Sequence, residues 1–174
     1  NKVYVTNGAT LTILPGTIIR GDKATQATLV ITKGCKIIAE GTQNLPIVFT
    51  SNESVGNRAE GDWGGLVILG QATNNQPGGV ANIEGIVPTA NTQYGGSDDN
   101  DNSGKLKYVR IEFAGIALEP NKEINGVTFG SVGNQTIVDY VQVSFSGDDS
   151  FEWFGGTVNC KHLIAYRGID DDFD

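Results

Sequence analysis

The sequence predicts an all-β fold, a right-handed parallel β-helix wound as a solenoid of roughly six or seven coils. Two internal repeats and a vocabulary of short strands and tight turns carry that prediction. Shifted by 26 residues, Val3-Tyr4-Val5-Thr6 falls on Leu29-Val30-Ile31-Thr32, Gly8 on Gly34, Ala9 on Cys35, Leu11 on Ile37 and Thr12 on Ile38. At a shift of 32, Tyr108-Val109 falls on Tyr140-Val141, Ile111 on Val143, Phe113 on Phe145 and Gly115 on Gly147. Gly supplies 24 of the 174 residues, Met is absent, and Val, Ile, Thr, Tyr and Phe recur in short runs between Gly, Asn, Asp and Pro-Gly. Such runs favour strands and turns over helices.

Taken in order, the first two coils occupy residues 1–51, and dropping one residue from the repeat sets Gly16-Thr17 on Gly41-Thr42. Trp63-Gly64-Gly65-Leu66-Val67-Ile68-Leu69 reads as the strand of a further rung. Residues 70–105 then break the rhythm with polar, Gly-rich sequence and read as a long loop excursion from the coil. The 108–115 and 140–147 repeats restore it. A shift of 22 carries segment 140–152 onto 162–174, with Val141 on Leu163, Ser146 on Gly168 and Phe151 on Phe173. The chain opens inside one strand pattern, at Lys2-Val3-Tyr4-Val5, and stops inside another. Residues 1–174 are therefore expected to form a single β-helix domain, an interior fragment of a longer protein.

Charge narrows the classes of function. The formal net charge is −8, and it runs from about +2 over residues 1–53 (three acids, five bases) to −6 over the last 36 (eight acids, Lys161 and Arg167). Nucleic acid needs a basic face, so it is excluded as a partner. No apolar stretch reaches the 18 or so residues of a membrane span. Cys35 and Cys160 lack metal spacing and read as two small buried side chains.

The shift of 22 stacks acids on acids. Asp148 falls on Asp170, Asp149 on Asp171 and Glu152 on Asp174, with Asp172 beside Ser150. Unit charges about 5 Å apart repel by roughly 3 kcal/mol at an effective dielectric near 20. Such a stack needs a cation, protonation or a basic neighbour such as Arg167. Calcium, a hard cation that takes oxygen ligands, fits best, with Asp148, Asp149, Glu152, Asp170, Asp171 and Asp172 as candidate ligands. A secondary candidate is Asp99-Asn100-Asp101-Asn102-Ser103-Gly104, which imitates the opening of a calcium loop through Asp99, Asp101 and Ser103. Its twelfth position is Arg110 rather than the bidentate Glu of a complete loop.

Gly147-Asp148-Asp149 also admits an enzymatic reading, because polygalacturonase-type hydrolases are β-helices that use clustered Asp residues, paired as acid and base. A pectate-lyase-like alternative would use Arg167 beside Asp170 as base. The alternative catalytic set is thus Asp148, Asp149, Arg167 and Asp170, without the accompanying Asn-Thr-Asp and Gly-His-Gly motifs. The sole histidine, His162, falls at the head of a strand. Trp63 and Phe151-Glu152-Trp153-Phe154 fill the coil or cover a turn; exposed, they would stack on sugar rings. Asn52-Glu53-Ser54 and Asn134-Gln135-Thr136 match glycosylation acceptors.

Four strings share a wider pattern: Gly61-Asp62-Trp63-Gly64-Gly65-Leu66-Val67-Ile68-Leu69-Gly70, Tyr108-Val109-Arg110-Ile111-Glu112-Phe113-Ala114-Gly115, Ser146-Gly147-Asp148-Asp149-Ser150-Phe151-Glu152-Trp153-Phe154-Gly155-Gly156-Thr157 and Ala165-Tyr166-Arg167-Gly168-Ile169-Asp170-Asp171-Asp172-Phe173-Asp174. Together they resemble a family of secreted or surface β-helix proteins of Bacteroidota, some of them misnamed as transporters. The resemblance implies export, with a lipoprotein anchor or a type IX secretion sorting domain in some members, and supplies no established catalytic residues to carry over, so it bears on fold and location rather than chemistry. The sequence as a whole points to an extracellular or cell-surface scaffold, an adhesin-like module that binds glycan, a partner protein or neighbouring copies and is stabilised by calcium. The alternative is a polysaccharide-active enzyme.

Overall fold

The structure is a computed structural model that describes residues 1–119 and 122–174. The first coil comprises β1 (Lys2–Val5), β2 (Thr10–Ile13) and β3 (Ile18–Gly21), and the second β4 (Thr28–Ile31), β5 (Lys36–Glu40) and β6 (Ile47–Ser51). The third opens with β7 (Gly65–Leu69), leaves the coil through an excursion containing β8 (Ala81–Asn82) and β9 (Gln93–Tyr94), and returns as β10 (Gly104–Glu112). A side hairpin of β11 (Ile116–Glu119) and β12 (Lys122–Ile124) precedes the fourth coil, β13 (Val127–Val132) and β14 (Ile137–Ser144). The fifth is β15 (Phe151–Gly156) and β16 (Asn159–Tyr166), and Phe173 begins a sixth by bridging in parallel to Phe151.

Two parallel sheets line the solenoid, a five-stranded one in the order β1-β4-β7-β13-β15 and a seven-stranded one along β2-β5-β10-β14-β16, with β3 and β6 attached. This is the expected right-handed parallel β-helix. The repeat registers hold residue for residue where strands are concerned. Val3 pairs with Leu29, Leu11 with Ile37, Val109 with Val141 and Val141 with Leu163. One register differs. Ile18 pairs with Val48, so Gly16 meets the Leu45 carbonyl, and Gly41-Thr42 instead start a longer turn that the second coil inserts.

Like residues form columns through the interior. Leu29, Leu66, Val127 and Phe151 stack in one sheet. Ile47, Val109, Val141 and Leu163 stack in the other. Phe49, Phe129 and Phe151 are among the largest fully buried side chains. Burial of each contributes about 1.5–3 kcal/mol. Trp63 is buried too, stacked on Phe49 with its indole N–H donated to the Glu112 carbonyl at 2.9 Å, so it fills the coil. Cys35 is buried, Cys160 is half-buried beside Val138 in its column, and both are free thiols.

The strands of the seven-stranded sheet bend sharply at residues in the left-handed region: Tyr108 (φ 49°) in β10, Tyr140 (φ 55°) in β14 and His162 (φ 50°) in β16. His162 therefore sits at a mid-strand corner rather than at a strand head. The excursion is an ordered layer. Ile83, Ile86 and Tyr94 pack with Val30, Val67, Leu69 and Ile124 in a second apolar cluster on the outside of the five-stranded sheet. Where β10 re-enters, Gly104 (φ 114°) passes so close to β5 that a Cβ there would sit 2.0 Å from the Ile37 carbonyl oxygen.

Candidate functional site

The acidic end is built by two successive turns laid one on the other. After β14 the chain turns through Ser146–Ser150 into β15; one coil later, 168–172 follows the same path. Backbone bonds fix the register: the Ile169 N–H donates to the Ser146 carbonyl at 3.0 Å and the Ser150 N–H to the Asp171 carbonyl at 2.9 Å. Asp174 closes the pair through its N–H to the Phe151 carbonyl at 3.0 Å. Like residues are consequently brought into register along the backbone.

Two groups of carboxylates result. Oxygens of Asp148, Asp149 and Asp170 lie within 4.8 Å of one another, as do those of Asp149, Glu152 and Asp174. Asp149 belongs to both, and it and Glu152 are each only 8% exposed. Asp171 and Asp172 belong to neither group. The Asp171 N–H donates to Asp149 Oδ1 at 3.0 Å and the Asp172 carbonyl accepts from Phe151, so backbone rather than carboxylate does their work there.

Burial pushes the Asp148 carboxyl up to about 6, helped by the charge of Asp149. Burial raises Asp149 as well. Glu152 is carried up to about 8, first by burial and then by Glu84, Asp149 and Asp174, against a lowering hydrogen bond from Asn125. Glu84, brought in by the excursion, is itself raised by burial and by Glu123, Asp149 and Asp174. Among the described residues no ion pair reaches either group. The Arg167 guanidinium lies over the rings of Phe145, at 5.7 Å, and Tyr166, at 6.0 Å. An all-oxygen, uncompensated set of this kind suits a hard divalent cation. One oxygen from each member of a group lies close enough to the others to share a single ion.

The secondary candidates lie elsewhere. Asp99 Oδ1 accepts from the Thr73 N–H at 3.0 Å and its hydroxyl at 2.7 Å. Asp101, buried, accepts from Ser103 Oγ at 2.9 Å and the Gly133 N–H at 3.3 Å. Asp99 thus ties the end of the excursion to its start, and Asp101 ties it to the fourth coil.

Sequence reasoning missed Glu84 and Asn125. Asn125 is 1% exposed; its Nδ2 donates to Glu152, while its Oδ1 has no hydrogen-bond partner among the described residues. Neither lies in a repeat, so no column marked them. Of the aromatic run, Trp153 stacks on Phe129 inside the coil, whereas Phe154 meets Tyr94 on the outer face.

Among the described residues no helix is long and apolar enough to cross a membrane. No curated protein and no solved structure matches the chain. A family model described as a pectate-lyase like beta helix domain matches residues 1–174, its full length. Parallel coils, stacked columns and that match agree: the chain belongs to the pectate-lyase-like β-helix domain family.

Proposed function

We propose that this β-helix is a non-enzymatic binding scaffold of the cell exterior, an adhesin-like module whose acidic end is held together by calcium. One observation carries the reading: Asp148, Asp149, Glu152, Asp170 and Asp174 crowd into two groups with oxygens within 4.8 Å and no basic partner among the described residues. Extracellular calcium modules work at dissociation constants of roughly 10⁻⁴–10⁻³ M, which fits a site assembled on turns and outside the cell. The rigid stack of coils presents long outer faces on which glycan, a partner protein or a neighbouring copy can lie.

Melting temperature in calcium and in chelator tests this. A ligand at 100 times its Kd stabilises by about 2.7 kcal/mol, or roughly 5–10 °C for a chain of this size. Equal melting temperatures in the two conditions defeat the calcium reading. Reducing ends or unsaturated sugars released from polysaccharide defeat the non-enzymatic one.

A further inference from the structure

Between the excursion and β15 lies a cleft of about 480 Å³, within the roughly 300–1,000 Å³ of small-ligand sites. Its lining includes the exposed amides Asn75 and Gln76, the half-buried ring of Phe154, and the carboxylates Glu152 and Asp174. Those two carboxylates are also members of the deeper acidic group with Asp149. A cation held there sits at the boundary between protein and cleft.

The coordination count gives the cleft its chemistry. Calcium takes about six to eight oxygens. Asp149, Glu152 and Asp174 supply three carboxylates, and the buried Asn125 carboxamide beside Glu152 carries an Oδ1 with no partner among the described residues, a neutral oxygen suited to the same ion. Monodentate ligation by these four leaves positions to fill, and Glu152 and Asp174 also line the cleft, so an ion they hold borders it. Paired hydroxyls of a sugar are hard, neutral oxygen ligands that can replace water there. Amides at Asn75 and Gln76 offer both donors and acceptors to the remaining hydroxyls, and Phe154 offers an apolar surface to the ring. The surplus of negative charge around one divalent ion disfavours an anionic polymer such as a polyuronate.

We propose that the cation bound by Asp149, Glu152 and Asp174 takes vicinal hydroxyls of a neutral oligosaccharide seated in this cleft, with Asn75, Gln76 and Phe154 as the sugar's remaining contacts. This rests on the calcium reading above and gives the scaffold a ligand class and a place to hold it.

Isothermal titration with neutral pentasaccharides (fragments of mannan, xylan, cellulose and galactan) and with oligogalacturonate, in millimolar calcium and in chelator, tests it. At least one neutral sugar is expected to bind in calcium and to lose about tenfold or more in chelator. The double variant Asn75→Ala/Gln76→Ala, both positions exposed, is expected to weaken that binding about tenfold while leaving the calcium-induced rise in melting temperature unchanged. Absence of neutral-sugar binding with the calcium shift intact overturns the saccharide site and leaves the cation reading standing. So does binding indifferent to chelator or to the double variant, or a preference for oligogalacturonate. Loss of the calcium shift in the native chain overturns both.

Discussion

The ring of Tyr140 lies flat on that of His162, centroids 4.2 Å apart and planes within 7°. Tyr108 continues the column below at 4.7 Å, and Asp139 holds His162 Nδ1 at 2.7 Å. Each of the three ring-bearing residues sits at a left-handed corner, a conformation costing a side chain about 1–2 kcal/mol. Stacking against the neighbouring coils is what keeps aromatic residues at positions where glycine would be easier.

That opposition predicts an inverted ranking at Tyr140. Tyr140→Ala loses the stacking and keeps the backbone strain; Tyr140→Gly loses the stacking and relieves it. Chemical denaturation is expected to find the glycine variant more stable than the alanine variant by about 1 kcal/mol. A more stable alanine variant would show that the corner is not strained.

Glu152→Gln keeps the shape and removes the charge. In chelator at pH 8–9 the variant is expected to melt several degrees above the native chain, because one buried like-charge repulsion is gone. On the proposed calcium reading the order reverses in calcium, since a ligand would be lost. Thermal melts in both buffers check the crossover, and a variant that is less stable in both places Glu152 in a purely structural role.

Without calcium, stability should peak in mildly acid solution. Asp148 and Glu152 are raised in the fold, to about 6 and about 8, so the stability they confer is complete below the ordinary carboxylate range near pH 4 and fades as pH climbs through those values. Asp62 acts in the other direction. Burial pushes its carboxyl up, but bonds from Lys23 at 2.8 Å, Ser51 at 2.6 Å and the Ala59 N–H carry it below its ordinary value. Its contribution is present above about pH 4 and is lost as pH falls. Asp62→Asn should cost about 1–3 kcal/mol near neutrality and flatten the acid limb alone. A chelated melting curve that is level from pH 5 to 9 rules out the raised pair.

Gly104→Ala is expected to cost about 1–3 kcal/mol or more, because the new methyl would press on the Ile37 carbonyl where β10 rejoins β5. Denaturation midpoints measure it. A neutral substitution would mean that the excursion's return is looser than the register of Gly104 on Ile37 implies.

Strand registers were legible in the sequence because a parallel stack puts equivalent residues in one column, so that Val3 over Leu29 or Tyr108 over Tyr140 is both a repeat and a contact. The same logic located Asp148 on Asp170 and Glu152 near Asp174. It failed where chain length between strands varies. Gly16 and Gly41 look equivalent as letters, yet the turn at 42–45 shifts the partner of Ile18 to Val48. Irregular segments carry no period at all, which is why the β8–β9 and β11–β12 hairpins, Glu84 and Asn125 went unread. A stacked register also fixes backbone before side chain: Asp171 lies over Asp149 as expected, but it meets the lower residue through its N–H.

The excursion changes how a linear array can come apart. It leaves from the third coil, takes Lys33 of the second through the Gly95 carbonyl, meets Ser131 of the fourth through the Ala72 N–H, and reaches the fifth through Gly156 to Thr73 and Thr157 to Asp99. Solenoids otherwise fray from either tip, each turn leaning only on its neighbours. Here a clasp spans four of them, so the second to fifth coils should exchange amide hydrogens as one cooperative block while the first opens on its own.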